Sequence, residues 1–110
     1  MELTKHVTQD DMTVYSGPGN IHSDVEVAKR TGLDAPIAQG MMTLAYASEL
    51  MTNVCGSDWL ERGQISVKFT KPVFDGDTVT VRATKSDDGY EVVAVNQAGD
   101  TLMLGTASLR

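Results

Sequence analysis

The sequence predicts an α+β domain in which an antiparallel sheet wraps around one central helix. The first observation is the run from Gly40 to Cys55, whose apolar residues surround most of a helix circumference, as in a helix enclosed by other structure. The second is a change of period, because apolar and polar residues alternate from Ile65 onward. The third is a series of turn sequences that divides this alternating region into about four antiparallel strands.

Two capping boxes predict short helices before the central helix. Thr8 with Asp11 has the form of the first box and should start a brief helical turn that runs toward Tyr15. Ser23 with Glu26 forms the second, and the glycine that follows Thr31 marks the end of a helix of about two turns, Asp24 to Thr31. A short strand is expected at residues 2–7.

A glycine-rich loop, Ser16–Gly19, separates these two helices. Its two glycines permit unusual backbone angles and its proline removes a hydrogen-bond donor, so regular structure is not expected there. The loop is therefore expected to place Asn20 and His22.

The chain after the central helix is predicted to be mostly sheet. The predicted elements are, in order, the end of the helix at Gly56, a turn at 58–61, a strand at 65–70 that Pro72 interrupts, a turn at 75–77, a strand at 78–84, a hairpin turn at 86–89, a strand at 90–96, a turn at 97–100 and a last strand at 101–109.

Length and charge limit the classes of function. The chain has 110 residues, 41% of them hydrophobic, which suits one domain, 1–110, with an ordinary core. Nine basic and 15 acidic side chains give a formal net charge of -6, which argues against a nucleic-acid surface and would repel an acidic carrier protein. A small anionic molecule such as coenzyme A would need a local basic patch, for which Arg62, Lys68 and Lys71 are the candidates.

Other compositional features predict a cytoplasmic protein without a cofactor. The single cysteine, Cys55, cannot form an internal disulfide, which suits the cytoplasm. The N-terminal residues lack an apolar signal core and no apolar run is long enough to span a membrane, so no membrane partner is expected. No Cys/His cluster has metal-ligand spacing, so no metal is expected.

A second copy of the chain is the expected partner. One sheet of this size covers only one side of a central helix, so a face or an edge is left open. A homodimer is the natural way to cover it.

The loop of His22 and the start of the central helix at Gly40 form the candidate site. A helix N-terminus offers free backbone N–H groups to a developing negative charge. An imidazole with an unperturbed pKa near 6.5 can exchange protons close to neutral pH. We therefore expect any chemistry where this loop meets that helix.

Four stretches of the chain resemble the MaoC-like, R-specific enoyl-CoA hydratase family of the hot-dog fold. They are NIHSD, PIAQGMMTLAYASEL, VKFTKPVFDGDTVTV and NQAGDTLMLGTASL, and the similarity runs from about Val7 to Leu109 with the motifs in the family's order. The resemblance implies a dimer of hot-dog subunits. It also implies that an acyl thioester, coenzyme A-linked, enters a tunnel at the dimer interface.

The family signature implies roles for two residues of the loop. It contains an Asp, an Asn two residues later and a His five residues after the Asp. His22 matches the His and Asn20 is the best match to the Asn, but Gly17 or Pro18 stands where the Asp belongs and neither can exchange a proton. The resemblance therefore implies His22 as general acid-base, with Asn20 orienting a water or the loop.

Further roles follow from the match at the central helix. Gly40 matches the family glycine whose backbone N–H binds the thioester oxygen. Gln39 replaces a His that is common in the family, Met41 is expected to line the tunnel, and Ser48 matches a position for a pocket-side hydroxyl. These three are the predicted substrate-binding residues.

The sequence thus favours an enoyl-thioester hydratase or β-hydroxyacyl-thioester dehydratase, a lyase. Asp24 is a candidate substitute for the missing Asp, although an acid at a helix start also complements the dipole. Loss of the Asp motivates the alternative of a hot-dog domain that binds an acyl thioester without turnover. A hot-dog thioesterase is a third hypothesis, for which Glu49 is the only acid within the central helix.

Overall fold

The α+β class is confirmed by the computed structural model, which describes all 110 residues. One antiparallel sheet contains all five strands in the order β1-β3-β4-β5-β2. The strands are β1 (Glu2–His6), β2 (Gly63–Phe69), β3 (Thr78–Ser86), β4 (Gly89–Val95) and β5 (Thr101–Leu109). The helices are α1 (Gln9–Ser16), α2 (Val25–Arg30), α3 (Gly40–Cys55) and α4 (Ser57–Arg62).

The central helix α3 has the predicted bounds and ends at Gly56, whose φ of 66° is readily adopted only by glycine. Its inner face packs on one side of the sheet, to which alternate strand residues point. The buried core residues of this contact include Met42, Ala47, Leu50 and Met51 of α3 and Val79, Val81, Val92, Ala94 and Met103 of the sheet.

The strand order differs from a simple meander. β3, β4 and β5 follow one another as predicted, but β2 pairs with β5, for example Val67 with Gly105, and lies at the far edge. The residues between β2 and β3 leave the sheet, and Ile37 forms an isolated bridge with Phe74 there. The alternating pattern shows that β2 is a strand but contains no signal for its neighbour.

Local capping confirms one prediction and corrects another. Thr8 caps α1 by accepting from the backbone N–H of Asp11 at 3.1 Å, and α1 runs for eight residues to Ser16, one residue past Tyr15. Ser23 does not cap α2. Asp24 does, because its carboxylate accepts from the backbone N–H groups of Glu26 and Val27 at 2.9 and 3.2 Å. The predicted turn at 58–61 is the short helix α4.

The outer face of α3 is open in the single chain, as the sequence predicts for a helix that one sheet covers on one side only. Met41 is 52% exposed and Tyr15, at the end of α1, is 46% exposed. One curved sheet covers only the inner side of α3, so its apolar outer side faces out of the single chain. None of the four helices combines the length and apolar content needed to cross a membrane.

Candidate functional site

The side-chain amide of Asn20 holds the loop after α1 in shape. Its Nδ2 donates to the carbonyl oxygens of Ser16 and Gly17 at 2.9 and 3.2 Å. Its Oδ1 accepts from the backbone N–H of His22 at 2.9 Å. Gly17 has a φ of 76°, so a side chain at that position would strain the turn. Both the nitrogen and the oxygen of the Asn20 amide are therefore hydrogen-bonded within the loop, and they hold the backbone at His22 in place.

The imidazole of His22 is held by a backbone carbonyl. Its Nδ1 lies 2.8 Å from the carbonyl oxygen of Ile37. A carbonyl oxygen can only accept, so this contact requires the hydrogen on Nδ1 and leaves the lone pair of the neutral ring on Nε2. The backbone oxygen of His22 accepts from Nε2 of Gln9 at 3.0 Å, which ties the loop to α1.

No carboxylate lies within 4.0 Å of the His22 ring. Asp24, the sequence candidate for a second acid, uses its carboxylate to cap α2. The hydroxyl of Ser16, next to the position of the missing Asp, is buried without a hydrogen-bond partner. The single chain therefore presents one proton-exchanging side chain at this loop.

A linking segment, Ile37–Ala38, joins the loop to the start of α3. The backbone N–H of Ile37 donates to the carbonyl of Ile21 at 3.1 Å, and that of Ala38 donates to the carbonyl of Val73 at 2.8 Å. The segment is thus bonded on one side to the His22 loop and on the other to the connection between β2 and β3. It runs through Gln39 directly into Gly40.

The N-terminus of α3 has free backbone donors. Gln39 is the N-cap residue, but its side chain makes no capping bond. The backbone N–H groups of Gly40 and Met41 donate to no group of the protein. Such donors, together with the helix dipole, stabilise a partial negative charge that lies close to the helix start along its axis.

A cavity of about 350 Å³ lies beside this N-terminus. Gly40, Thr43, Phe69 and Lys71 are among its lining residues. A Cβ on Gly40 would fall 3.0–3.2 Å from atoms of the Phe69 ring, so the absence of a side chain lets this ring lie close to the helix start. An anionic oxygen in this cavity could therefore approach the backbone N–H of Gly40 beside the Phe69 ring.

Met41 and Ser48 share a second, separate space. They line a groove of about 410 Å³ along the outer face of α3, together with Tyr15 and Ile65. The hydroxyl oxygen of Ser48 accepts from the indole Nε1–H of Trp59 at 2.9 Å. Trp59 is only 6% exposed, so this hydrogen bond ties Ser48, which lines the groove, to the buried core.

The structure thus divides the predicted site residues between three places. Gly40 lines the cavity, Met41 and Ser48 line the groove, and His22 lines neither of these two spaces. His22 is connected to Gly40 through the linking segment, because its ring is bonded three residues before that glycine.

The three basic candidates for an anion patch differ in their surroundings. Lys71 lines the cavity beside Gly40 and lies 3.3 Å from Asp100 in a half-exposed ion pair. Arg62 lies 3.6 Å from Asp58, one turn earlier in α4. Lys68 has no carboxylate within 4.0 Å. Lys71 is therefore the basic group with access to the space beside the helix start.

Three participants in this geometry were missed from the sequence. They are the Ile37 carbonyl that orients His22, the Phe69 ring over Gly40 and the Trp59 indole on Ser48. The role of a backbone carbonyl cannot be recognised in a sequence, because every residue has one. Trp59 carried a weak signal, since a buried tryptophan usually finds a partner for its N–H.

Comparison with known proteins adds independent evidence. The sequence profile described as "MaoC like domain" matches residues 1–102. The probable enoyl-CoA hydratase 2 of Dictyostelium discoideum is 30% identical over 89 residues, which are 76% of this chain and 30% of that protein. The peroxisomal enoyl-CoA hydratase 2 of Arabidopsis thaliana is 31% identical over 94 residues, which are 82% of this chain and 30% of that protein.

Solved structures confirm the expected hot-dog fold. The R-hydratase PhaJ1 of Pseudomonas aeruginosa, in its unliganded form, superposes with a TM-score of 0.76 at 26% identity, over 97% of this chain and 76% of that one. The chain spans less than a third of the two curated relatives described above.

Proposed function

The chain belongs to the MaoC-like domain family, and from this premise we propose that it is a lyase that hydrates enoyl thioesters or dehydrates the corresponding β-hydroxyacyl thioesters. One observation carries the proposal. The ring of His22 is bonded to Ile37 at 2.8 Å, on the segment that leads into the free backbone N–H groups of Gly40 and Met41. The proposed base and the proposed oxyanion donor are therefore held by the same segment of backbone.

Hydration adds water across the double bond next to the thioester carbonyl. In the proposed mechanism Nε2 of His22 takes a proton from water while the water oxygen bonds to the β-carbon. The π electrons move toward the carbonyl and form an enolate, whose oxygen accepts a hydrogen bond from the backbone N–H of Gly40. The imidazolium then returns its proton to the α-carbon.

A single acid-base group suffices for this sequence of steps. The proton that His22 removes from water is the one that it delivers to the α-carbon, so atoms and charge balance without a second carboxylate. This assignment is supported by the lack of any carboxylate within 4.0 Å of the ring. Asn20 keeps the loop in place, and Gln39, Met41 and Ser48 contact the acyl group.

We propose a coenzyme A-linked substrate. Lys71 lines the cavity beside Gly40 and can exchange its half-exposed partner Asp100 for a phosphate of the coenzyme A portion. The net charge of -6 disfavours an acidic carrier protein at the same place.

We propose further that the working form is a homodimer in a reducing compartment such as the cytoplasm. The open apolar side of α3 and the unpaired outer edge of β2 lie next to each other, and a second copy would cover both. The free thiol of Cys55 suits a reducing compartment.

The test follows the loss of enoyl absorbance of crotonyl-CoA with the wild-type chain and with His22→Ala. The proposal expects the rate to fall by about 10²–10⁴-fold, the usual contribution of a general acid-base group. His6→Ala is the matched control, because His6 is the only other histidine and lies on β1. Equal rates for wild type and His22→Ala would remove His22 from the mechanism.

The absence of a nearby carboxylate also favours a second candidate, an acyl-thioester-binding domain without turnover. This candidate predicts measurable affinity for acyl-CoA compounds and no product over a broad panel of acyl groups. Hydration of any member of the panel at a rate that His22→Ala reduces would exclude it.

A thioesterase has weaker support. Glu49, the acid that this function would use, lies 2.9 Å from Lys5 and nine residues beyond Gly40. Release of free thiol from an acyl-CoA, followed with a thiol reagent, would separate it from hydration.

A further inference from the structure

The hydroxyl group of Thr43 is buried and has no hydrogen-bond partner within the chain. Thr43 is 3% exposed and is the only polar residue among the 20 buried ones. Its side chain makes no bond to the preceding turn of α3, unlike Thr52, whose hydroxyl donates to the carbonyl of Ser48 at 2.8 Å. A buried hydroxyl without a partner is costly, because it has given up its bonds to water. The hydroxyl of Thr43 is therefore available to a group from outside the chain.

Thr43 lines the cavity of about 350 Å³ beside the start of α3, which Gly40 also lines. The hydroxyl of Ser16 is the only side-chain polar atom that is sealed from solvent without a partner. The oxygen of Thr43, which has no partner either, therefore keeps a small accessible surface. A molecule in the cavity can reach it there.

Gly40 and Thr43 lie on the same face of α3. Residues three apart on a helix are neighbours, with Cβ positions about 5–6 Å apart, and helical side chains lean toward the N-terminus. The backbone N–H of Gly40 has no acceptor in the protein. One oxygen can accept from two donors up to about 5.8 Å apart, since each hydrogen bond is about 2.9 Å long. A single ligand oxygen can therefore bond both residues.

The polar groups around the cavity suit a negative charge. No acidic residue lines it, and its one charged lining residue is Lys71. The hydroxyl of Thr70 is already used, because it donates to the carbonyl of Thr101 at 2.6 Å. The free groups near the helix start are thus the hydroxyl of Thr43 and the backbone N–H of Gly40, and both can donate.

We propose that the hydroxyl of Thr43 donates a second hydrogen bond to the thioester oxygen that the Gly40 backbone N–H binds. The inference rests on the proposed function, because it assumes that the thioester lies at Gly40. The hydroxyl keeps its proton throughout, and His22 remains the acid-base group. A hydrogen bond to a charged oxygen is stronger than one to a neutral carbonyl, so Thr43 stabilises the enolate more than the bound substrate.

The first test measures hydration of crotonyl-CoA by Thr43→Val, which keeps the shape of the side chain and removes the hydroxyl. Its kcat should fall roughly tenfold to a hundredfold, the usual loss for a hydrogen bond to a charged group, with KM nearly unchanged. Thr43→Ser keeps a hydroxyl and should retain most of the rate. Thr52→Val is the matched control and should keep the wild-type kcat, because the Thr52 hydroxyl is used within α3.

Other roles of Thr43 predict different kinetics. A hydroxyl that bonds only water in the cavity predicts equal kcat for wild type and Thr43→Val, and this result would overturn the inference. A loss that Thr43→Ser shares in full would indicate packing, and a rise in KM alone would indicate uniform binding of substrate and transition state. Either outcome would also overturn it. Should Thr43→Val fail to fold, Thr43→Ala makes the same comparison with Thr43→Ser.

Acetoacetyl-CoA tests the contact without turnover, since its enolate form can be followed by its ultraviolet absorbance. The wild-type chain should bind the enolate in preference to the ketone form, and Thr43→Val should reduce this preference roughly tenfold.

The two tests together separate this inference from the proposed function. A preference for the enolate that requires Thr43, in a chain that does not hydrate crotonyl-CoA, would support the inference and count against the hydratase. Hydration with equal kcat and equal enolate preference in wild type and Thr43→Val would overturn only the inference. Neither hydration nor binding of acetoacetyl-CoA would count against both.

Discussion

The Nδ1 atom of His22 lies 2.8 Å from the carbonyl oxygen of Ile37, three residues before α3 begins at Gly40. The contact fixes both the ring plane and the site of the hydrogen in the neutral imidazole, because a carbonyl cannot donate. It leaves Nε2 as the nitrogen that can accept a proton.

The first prediction is that neutral His22 is present as a single tautomer with its hydrogen on Nδ1. Nitrogen-15 chemical shifts of the two ring nitrogens, recorded on the neutral form, measure this directly. His6 is the internal control, since its Nδ1 lies 3.3 Å from the hydroxyl of Thr78, which can donate or accept. A His22 spectrum with the hydrogen on Nε2 would contradict the hydrogen bond to Ile37.

The second prediction distinguishes the contribution of the Gly40 backbone N–H from the effect of adding a side chain at this position. Gly40→Ala keeps the N–H and adds a Cβ that meets the Phe69 ring at 3.0–3.2 Å. Gly40→Pro adds the same carbon but removes the N–H, and proline is well tolerated at the first position of a helix. Gln39, with φ −63° and ψ 140°, already has the extended conformation that a following proline favours.

If the Gly40 amide binds the enolate oxygen, kcat on crotonyl-CoA should be about 10²–10³-fold lower in Gly40→Pro than in Gly40→Ala. Urea unfolding of both variants checks that the helix start is intact. Equal kcat values in two folded variants would show that this N–H does not take part.

The third prediction concerns Asp24, whose carboxylate caps α2 through two backbone N–H groups. Asp24→Ala should lower the free energy of unfolding by about 1 kcal/mol, the usual effect of losing such a cap, as measured by urea denaturation. Asp24→Asn keeps an accepting oxygen and should retain most of that stability. Both variants should keep the wild-type kcat, and a large loss of kcat in Asp24→Asn would instead identify Asp24 as the second acid.

The fourth prediction is a dependence of stability on alkaline pH through Tyr46. Burial in α3 raises the pKa of Tyr46 above its ordinary value of 10.0, and the nearby charges of Asp11 and Glu49 raise it further while Lys5 lowers it. The folded chain therefore keeps this proton at a pH where the unfolded chain loses it. Its stabilising effect is complete below pH 10 and is lost as the pH rises through the folded pKa.

Urea unfolding above pH 10 should accordingly show a steeper loss of stability in wild type than in Tyr46→Phe. Absorbance titration of the phenols identifies Tyr46 by difference, since burial also raises the pKa of Tyr90. Asp11→Asn should shift the Tyr46 titration to lower pH. Parallel stability curves for wild type and Tyr46→Phe would contradict the prediction.

Most of the secondary structure could be predicted because its signals are local. α3 is marked by an apolar run between Gly40 and Gly56, and the strands are marked by alternation and turn residues. The helical character of residues 57–62 was missed because six residues are too few to reveal a helical period. Ser23 and Asp24 are both good capping residues, and only the backbone angles decide between them.

The non-local relationships could not be predicted in the same way. The pairing of β2 with β5 depends on contacts between residues far apart in the chain, which the alternation of β2 does not encode. The candidate site has the same limit. The residue types pointed to His22 and Gly40, but the group that connects them is the carbonyl of Ile37, and every residue has a carbonyl.

The linking segment Ile37–Ala38 is bonded to the loop on one side and to Val73 on the other. The imidazole of His22 and the backbone N–H groups at the start of α3 are therefore held by the same segment, and we expect the distance between them to stay constant when the sheet bends. If heat or denaturant loosens the hydrogen bonds of this segment, both groups should lose their alignment together. Activity should then be lost in a single step before the whole chain unfolds.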